Sequence, residues 1–292
     1  MTANLITQTE HLLSKFYFNE IKVNSIRNVP GGCINVVYRI ETTHGPFLVK
    51  TNHARKFPNM FAAEAAGLQL LKANCNLKIP ELIWQGEVDN TAILILEYIE
   101  SGKRIKNFFE DFGNKIASMH KCTSEYYGLD NDNYIGSLNQ FNKKSNDGVA
   151  FFISQRLMPQ IELAISNNKI DNKAVNDFEK LFMKLNQLLP AEPASLIHGD
   201  LWSGNFITDA NGMTCIFDPA VSYSYRESDI AMTKLFGGFE SAFYEGYNDV
   251  FLLQKNWQNR IELFNLYPLM VHVNLFGGSY LNQCREILKQ YL

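Results

Sequence analysis

The chain has 292 residues, 46% of them hydrophobic and 20% charged, with a formal net charge of −3. That is enough apolar material for one large domain or two lobes around a substantial core. No long basic run is present, so composition gives no footprint for nucleic acid or anionic lipid and points instead to a small-molecule partner.

Five scattered cysteines, Cys33, Cys75, Cys122, Cys215 and Cys284, form no C-x-x-C pair, which argues against a disulfide framework or zinc site and fits a reducing cytoplasm. The first 16 residues lack the uninterrupted apolar core of a signal peptide. Residues 92–96 form the most apolar stretch, far short of the about 20 residues needed to cross a bilayer, and read as a buried strand.

In chain order, apolar periodicity predicts a helix over 5–18, then strands over 25–29, 36–41 and 46–51, separated by Pro30-Gly31-Gly32 and His44-Gly45-Pro46. A helix over 59–73 precedes a hairpin, 82–87 and 91–98, turning at Asp89-Asn90. Beyond Ser101 the periodicity becomes helical over 106–121, 149–167, 171–188, 227–248, 254–265 and 268–291. Within 197–217, two short apolar runs flank Asp209-Ala210-Asn211-Gly212, a hairpin signal. The expectation is a bilobal α+β protein: a small antiparallel β lobe over 1–98, a connector over 99–102, and a larger, mainly helical lobe over 103–292.

The segment His198-Gly199-Asp200-Leu201-Trp202-Ser203-Gly204-Asn205 carries the chemistry. In the protein-kinase template a catalytic-loop Asp orients the attacking hydroxyl and accepts its proton, and an Asn five residues later holds Mg²⁺. Asp200 and Asn205 have that spacing, and Asp218, after the second short strand, takes the place of the second metal ligand. Oxygen donors of this kind suit a hard cation. Lys50 closes the third strand, where the template puts the phosphate-contacting lysine, and Glu64 on the next helix is its natural partner.

Gly31, Gly32, Cys33, Ile34 and Asn35 sit between two strands, where Cβ-free residues let backbone N–H groups approach ATP phosphates. Glu97, Tyr98 and Ile99 begin the connector, whose backbone could meet the adenine edge. His198 and His120 read as structural rather than catalytic. Cys33 is either a thiol open to oxidation when nucleotide is absent or a small residue that fits a tight loop.

On these residues the chain resembles the fructosamine kinase (ketosamine-3-kinase) family, relatives of the aminoglycoside phosphotransferases with a protein-kinase-like fold. The resemblance runs from about residue 25 to residue 281. It includes Gly31 to Asn35, Val49-Lys50, Met60-Phe61, Glu64-Ala65, Gly67-Leu68 and His198 to Asn205. It continues through Tyr127-Gly128-Leu129, Ile135-Gly136, Phe152, Arg156-Leu157, Asp218-Pro219-Ala220, Asp229 to Thr233, Leu235-Phe236-Gly237-Gly238 and Leu275-Phe276-Gly277-Gly278.

It implies ATP- and Mg²⁺-dependent phosphorylation of the C3 hydroxyl of ketosamines, fructosamines or ribulosamines, and so a deglycation or metabolite-repair role. Asp200 would be the proton acceptor, Asn205 and Asp218 the metal ligands, and Lys50 with Glu64 the phosphate-contacting pair. Trp202 is either a substrate platform or core packing, Arg226 and Glu227 either pair or border the substrate pocket, and Asp229 anchors the catalytic loop. A kinase of another small alcohol or aminoglycoside, or a nucleotide-binding pseudokinase, stays open as an alternative, as do the particular ketosamine and the choice between monomer and homodimer.

Overall fold

The Val-, Ile- and Tyr-rich runs of the first third pair into a single antiparallel sheet. The computed structural model describes residues 2–30 and 34–292. Helix α1 (Thr2–Tyr17) precedes β1 (Val23–Asn28), β2 (Val36–Thr42) and β3 (Gly45–His53); α2 (Met60–Asn74) follows, then β4 (Leu82–Val88) and β5 (Thr91–Glu97). The strand order is β1-β2-β3-β5-β4, with every neighbouring pair antiparallel. Asp89 and Asn90, both at positive φ, make the tight turn between the last two strands.

Side chains alternate across a strand, so β3 and β5 feed two different clusters. Phe47, Val49, Ile93 and Ile95 pack with Leu5 and Leu13 of α1, whereas Leu94 and Leu96 join Leu68 and Leu71 of α2. Lys50, one residue beyond Val49, therefore emerges on the α2 side of the sheet, next to Leu94 in the register.

The remainder is mainly helical. It runs through α3 (Phe108–His120), β6 (Thr123–Ser124), β7 (Asn133–Ile135), β8 (Leu138–Gln140), α4 (Gly148–Phe151), a π-helical segment (Phe152–Leu157), α5 (Met158–Ser166), α6 (Asn172–Phe182) and α7 (Leu185–Leu188). Next come β9 (Ala194–Ile197), the hairpin β10 (Phe206–Thr208) and β11 (Thr214–Ile216), and β12 (Ser222–Ser224). The chain closes with α8 (Glu227–Leu235), α9 (Ser241–Val250), a 3₁₀ turn (Trp257–Arg260), α10 (Ile261–Phe276) and α11 (Tyr280–Tyr291). Among the described residues no helix is long and apolar enough to cross a membrane.

Three helical expectations need correction. The helix expected over 227–248 breaks after Leu235, because Gly237 takes φ +91°, a conformation that ends helices. The break expected before Pro268 does not occur: α10 runs through the proline to Phe276 and stops where Gly277 turns to φ +67°. Burial of most of its circumference offsets the one backbone bond that Pro268 removes. The stretch over 149–167 holds a six-residue π segment just before Pro159. That proline has no N–H for the Gln155 carbonyl four residues earlier, and Arg156 Nη1 takes it at 3.0 Å instead.

Arg226 also departs from expectation. It is buried, with Nε 3.0 Å from Glu192 Oε2, its Nη atoms donating to the carbonyls of Phe251 and Leu252, and its guanidinium 3.8 Å over the Phe251 ring. Glu227 pairs with Arg260 at 2.6 Å rather than with Arg226. Every donor of Arg226 is thus directed into the helical core, and Arg226 does not line the cavity that holds Asp200. Arg226→Ala strands a buried Glu192 carboxylate, so urea unfolding should show a loss of about 3–5 kcal/mol. A loss below about 1 kcal/mol would mean that this pair is solvated.

Candidate active site

The loop between β9 and β10 is fixed by the carboxylate of Asp229 near the start of α8. Its Oδ2 accepts from His198 N at 2.7 Å and its Oδ1 from Gly199 N at 2.8 Å, while His120 Nε2 approaches Oδ2 at 3.1 Å. Burial alone would raise the Asp229 carboxyl, but the hydrogen bond and charge of His120 and the loop N–H groups outweigh it and hold the group below its usual range. Gly199 has φ +82°, and a Cβ there would fall 2.0 Å from the Ala220 carbonyl oxygen, so only glycine fits.

Both ring nitrogens of His198 are occupied. Nε2 donates to the Phe217 carbonyl at 3.1 Å and Nδ1 accepts from Asp200 N at 3.3 Å, which fixes a neutral tautomer. Burial pushes its pKa below the usual value. His198 is therefore a brace between the loop and the β10–β11 hairpin.

Asp200 projects from this braced loop. Asn205 Nδ2 donates to both the carbonyl and Oδ2 of Asp200, each at 2.8 Å, which leaves the Asn205 amide oxygen for another partner. Phe217 N bonds the Asn205 carbonyl at 3.1 Å, and this contact seats Asp218 beside Asn205. Asp218 is at φ +56°, an uncommon conformation for a residue with a side chain, and is partly exposed. Its Oδ1 pairs with Lys50 Nζ, which also holds Glu64 Oε1 at 2.6 Å. The two acids raise the Lys50 pKa despite its burial, so the ammonium stays charged.

These groups surround a cavity of about 220 Å³ lined by Ile34, Asn35, Lys50, Glu64, Asp200, Trp202, Asn205 and Asp218. Asn35 Oδ1 accepts from Asn52 Nδ2 at 3.1 Å. Trp202 is folded over Gly204, where a Cβ would fall 2.4 Å from the indole, so Gly204 is what lets the ring lie along the loop. Glu97, Tyr98 and Ile99 lie outside this cavity: the Glu97 carboxylate holds Lys78 at 2.7 Å, and Tyr98 and Ile99 continue past the end of β5. Gly31, Gly32 and Cys33 lie outside the described residues.

Asn133, Tyr134 and Gly136 of the β7–β8 hairpin complete the wall. Sequence periodicity passes over these short strands, although Gly136-Ser137 between apolar residues is a two-residue hairpin signal. Asn133 Nδ2 donates to the Val221 carbonyl at 2.8 Å, and Gln140 Nε2 to the Ala220 carbonyl at 3.0 Å, which clamps the hairpin to the segment after Asp218.

Desolvation is the main reason the Asp200 pKa rises to about 7; the charges of Asp218 and Asp229 add to it and the Asn205 hydrogen bond opposes it. A carboxyl raised from about 3.9 in the unfolded chain penalises the folded state once it ionises, and that penalty grows between about pH 4 and 7. Asp200→Asn should therefore melt increasingly above the wild type as pH rises through that window, with a plateau above it. A melting difference independent of pH would show that Asp200 is not desolvated.

A family model described as fructosamine kinase matches residues 5–292. A probable ketoamine kinase of Enterococcus faecium is 37% identical, with 94% of this chain and 98% of that protein aligned. The chloroplastic protein-ribulosamine 3-kinase of Arabidopsis thaliana is 35% identical over 93% of this chain and 83% of its own. Among solved structures, one from Thermobifida fusca with a provisional fructosamine-3-kinase name superposes with a TM-score of 0.86 at 29% identity, covering 97% of this chain and 98% of that one. An aminoglycoside phosphotransferase crystallised with ADP and hygromycin B gives a TM-score of 0.61 at 13% identity, over 97% and 98% of the two chains, a likeness of fold alone.

Proposed function

The chain belongs to the fructosamine kinase family and is an ATP-dependent kinase of bilobal, protein-kinase-like α+β fold; we propose that it phosphorylates the C3 hydroxyl of a fructosamine- or ribulosamine-type ketosamine, with Asp200 as proton acceptor. The observation that carries this reading is the one cavity that gathers Lys50, Asp200, Asn205 and Asp218 from three separate segments. In this reading residues 1–98 form the nucleotide lobe, 99–102 the hinge and 103–292 the catalytic lobe. The family relation to a ketoamine kinase and a protein-ribulosamine 3-kinase supports the acceptor class.

The residues fit a magnesium site. The Asn205 amide oxygen and the Asp218 carboxylate are hard oxygen donors on the same wall, and Mg²⁺ commonly takes one or two carboxylates together with substrate phosphates. Bound there, the ion supplies charge neutralisation for the phosphate oxygens. Lys50, kept charged by Asp218 and Glu64, contacts the phosphates of ATP. Gly31 to Asn35 cover the phosphates, and the backbone of Glu97 to Ile99 meets adenine.

The acceptor hydroxyl lies against Asp200. As its oxygen forms a bond to the γ-phosphorus, the bond from that phosphorus to the β–γ bridging oxygen breaks, ADP leaves, and the hydroxyl proton passes to Asp200. Phosphoryl transfer of this sort depends on positioning and on charge, which the braced loop supplies. The unpaired thiols of Cys75, Cys122, Cys215 and Cys284 suit a reducing compartment such as the cytoplasm.

Because Asp200 must be ionised to accept the proton, kcat/KM should fall tenfold per unit as pH drops below about 7. A flat profile down to pH 5.5 would remove Asp200 from the base role. Asp200→Asn should lower kcat by about 10²–10⁴ with nucleotide affinity retained, read by coupled ADP release and by titration calorimetry. A panel of fructosamines, ribulosamines, choline and an aminoglycoside identifies the acceptor; turnover only of the last two would overturn the ketosamine reading.

A further inference from the structure

No step of the proposed reaction uses the β7–β8 hairpin, yet this wall of the cavity touches both halves of the site. Its base is fixed by a buried polar network. Asn133 Oδ1 accepts from Gln140 Nε2 at 2.9 Å and from Asn142 Nδ2 at 3.1 Å. The Tyr267 hydroxyl donates to Gln140 Oε1 at 2.8 Å, and Arg156 Nη2 joins Asn142 Oδ1 to Ser222 Oγ at 2.8 and 3.0 Å. Together with the bonds from Asn133 and Gln140 to the Val221 and Ala220 carbonyls, these contacts make the hairpin one body with the segment that carries Asp218.

From this base the hairpin reaches towards the sheet at two points. The Tyr134 hydroxyl donates to the Pro58 carbonyl at 3.0 Å, two residues before α2 begins. Burial raises the Tyr134 pKa above the usual tyrosine value, which keeps the hydroxyl a donor. Gly136, at φ +58°, lies against Ile34: a Cβ there would fall 3.5 Å from Ile34 Cδ1 and 3.0 Å from Leu275 Cδ1 of α10.

The start of α2 has few holds of its own. Asn59 precedes it at φ +59° with no side-chain cap among the described residues, and its first turn carries no acid. Asn52 Nδ2 meets Met60 Sδ at 3.2 Å, but a thioether is a weak acceptor. Met60, Phe61, Leu68 and Leu71 are held by burial, and Gly67 rests on the side chains of Pro219 and Val221. Apolar contact of this kind is non-directional, so it resists lifting of the helix far more than sliding along its axis. Glu64, one turn inside, must nevertheless meet Lys50 Nζ at 2.6 Å.

We propose that Tyr134 is a positioning residue for phosphoryl transfer: its bond to Pro58 fixes the start of α2 along the helix axis and so seats Glu64 on Lys50 at a set distance from Asp218. The proposal rests on the phosphate-contacting role given to Lys50 and Glu64, and the identity of the acceptor does not enter it. Tyr134 touches no reacting atom; it acts through α2. Its ring also lines the cavity, so direct contact with the acceptor is the role that the experiment must separate from this one.

The test is a double-mutant cycle, measured with the best acceptor of the panel. Tyr134→Phe removes only the hydroxyl, and Glu64→Gln removes the charge that the hydroxyl places. Tyr134→Phe should lower kcat/KM for ATP about 3–10-fold, the worth of one hydrogen bond, with KM for the acceptor unchanged. In the Glu64→Gln background the same change should cost less than about twofold, because the group it positions is already gone. An unchanged kcat/KM for ATP in Tyr134→Phe, a loss of equal size in both backgrounds, or a raised acceptor KM with unaltered ATP parameters would overturn the proposal. An unchanged kcat/KM for ATP in Glu64→Gln alone would instead overturn the phosphate-contacting role of the Lys50–Glu64 pair, and the proposal with it.

Discussion

The geometry of the site depends on one buried carboxylate. Asp229 accepts hydrogen bonds from the consecutive N–H groups of His198 and Gly199, and His120 meets the same carboxylate from α3. A carboxylate at 1% exposure would be costly without such partners. With them it joins α3, α8 and the loop that carries Asp200. His120 is itself bound to the Tyr247 hydroxyl at 2.8 Å, so α9 is drawn into the same arrangement.

From that anchor the rest of the site follows by short links. His198 carries the loop's position to Phe217, Phe217 carries it to Asn205, and the turn after Phe217 places Asp218. Lys50 then connects Asp218 to Glu64 and so to α2 and the sheet. Because Lys50 is buried and Glu64 nearly so, breaking their contact would leave charge unpaired in a poorly solvated place. The two parts of the molecule are held in register by the same groups that contact phosphate in the proposed reaction.

Most of this site was legible in the sequence because it is written locally. Asp200 and Asn205 share one loop, and Asp218 follows one hairpin, so spacing alone predicts that they meet. The order of strand, Lys50, helix and Glu64 was equally readable, since β3 and α2 are strongly patterned. The β7–β8 hairpin was not, because three-residue strands carry too little periodicity to stand out, and their place is decided by Asn133 and Gln140 bonding to carbonyls some eighty residues away. Arg226 was settled by packing for a related reason: pairing with Glu227 or bordering the pocket were its two alternatives, but its donors are taken by Glu192, Phe251 and Leu252.

The sequence by itself determined the family, the loop that brings Asp200 and Asn205 together and the two classes of lobe, since each depends on residue type at short, fixed spacing. It also contained both Leu-Phe-Gly-Gly segments, but not the fact that they face each other across His272. Only the tertiary structure decided which wall completes the cavity, which groups His198 braces, and that a row of rings leaves Trp202 for the surface. The physical reason is that helix and turn signals act over a few residues, whereas these arrangements arise from side chains far apart in the chain that share one desolvated space. There each polar group must find a partner, and which partner it finds is set by packing rather than by spacing.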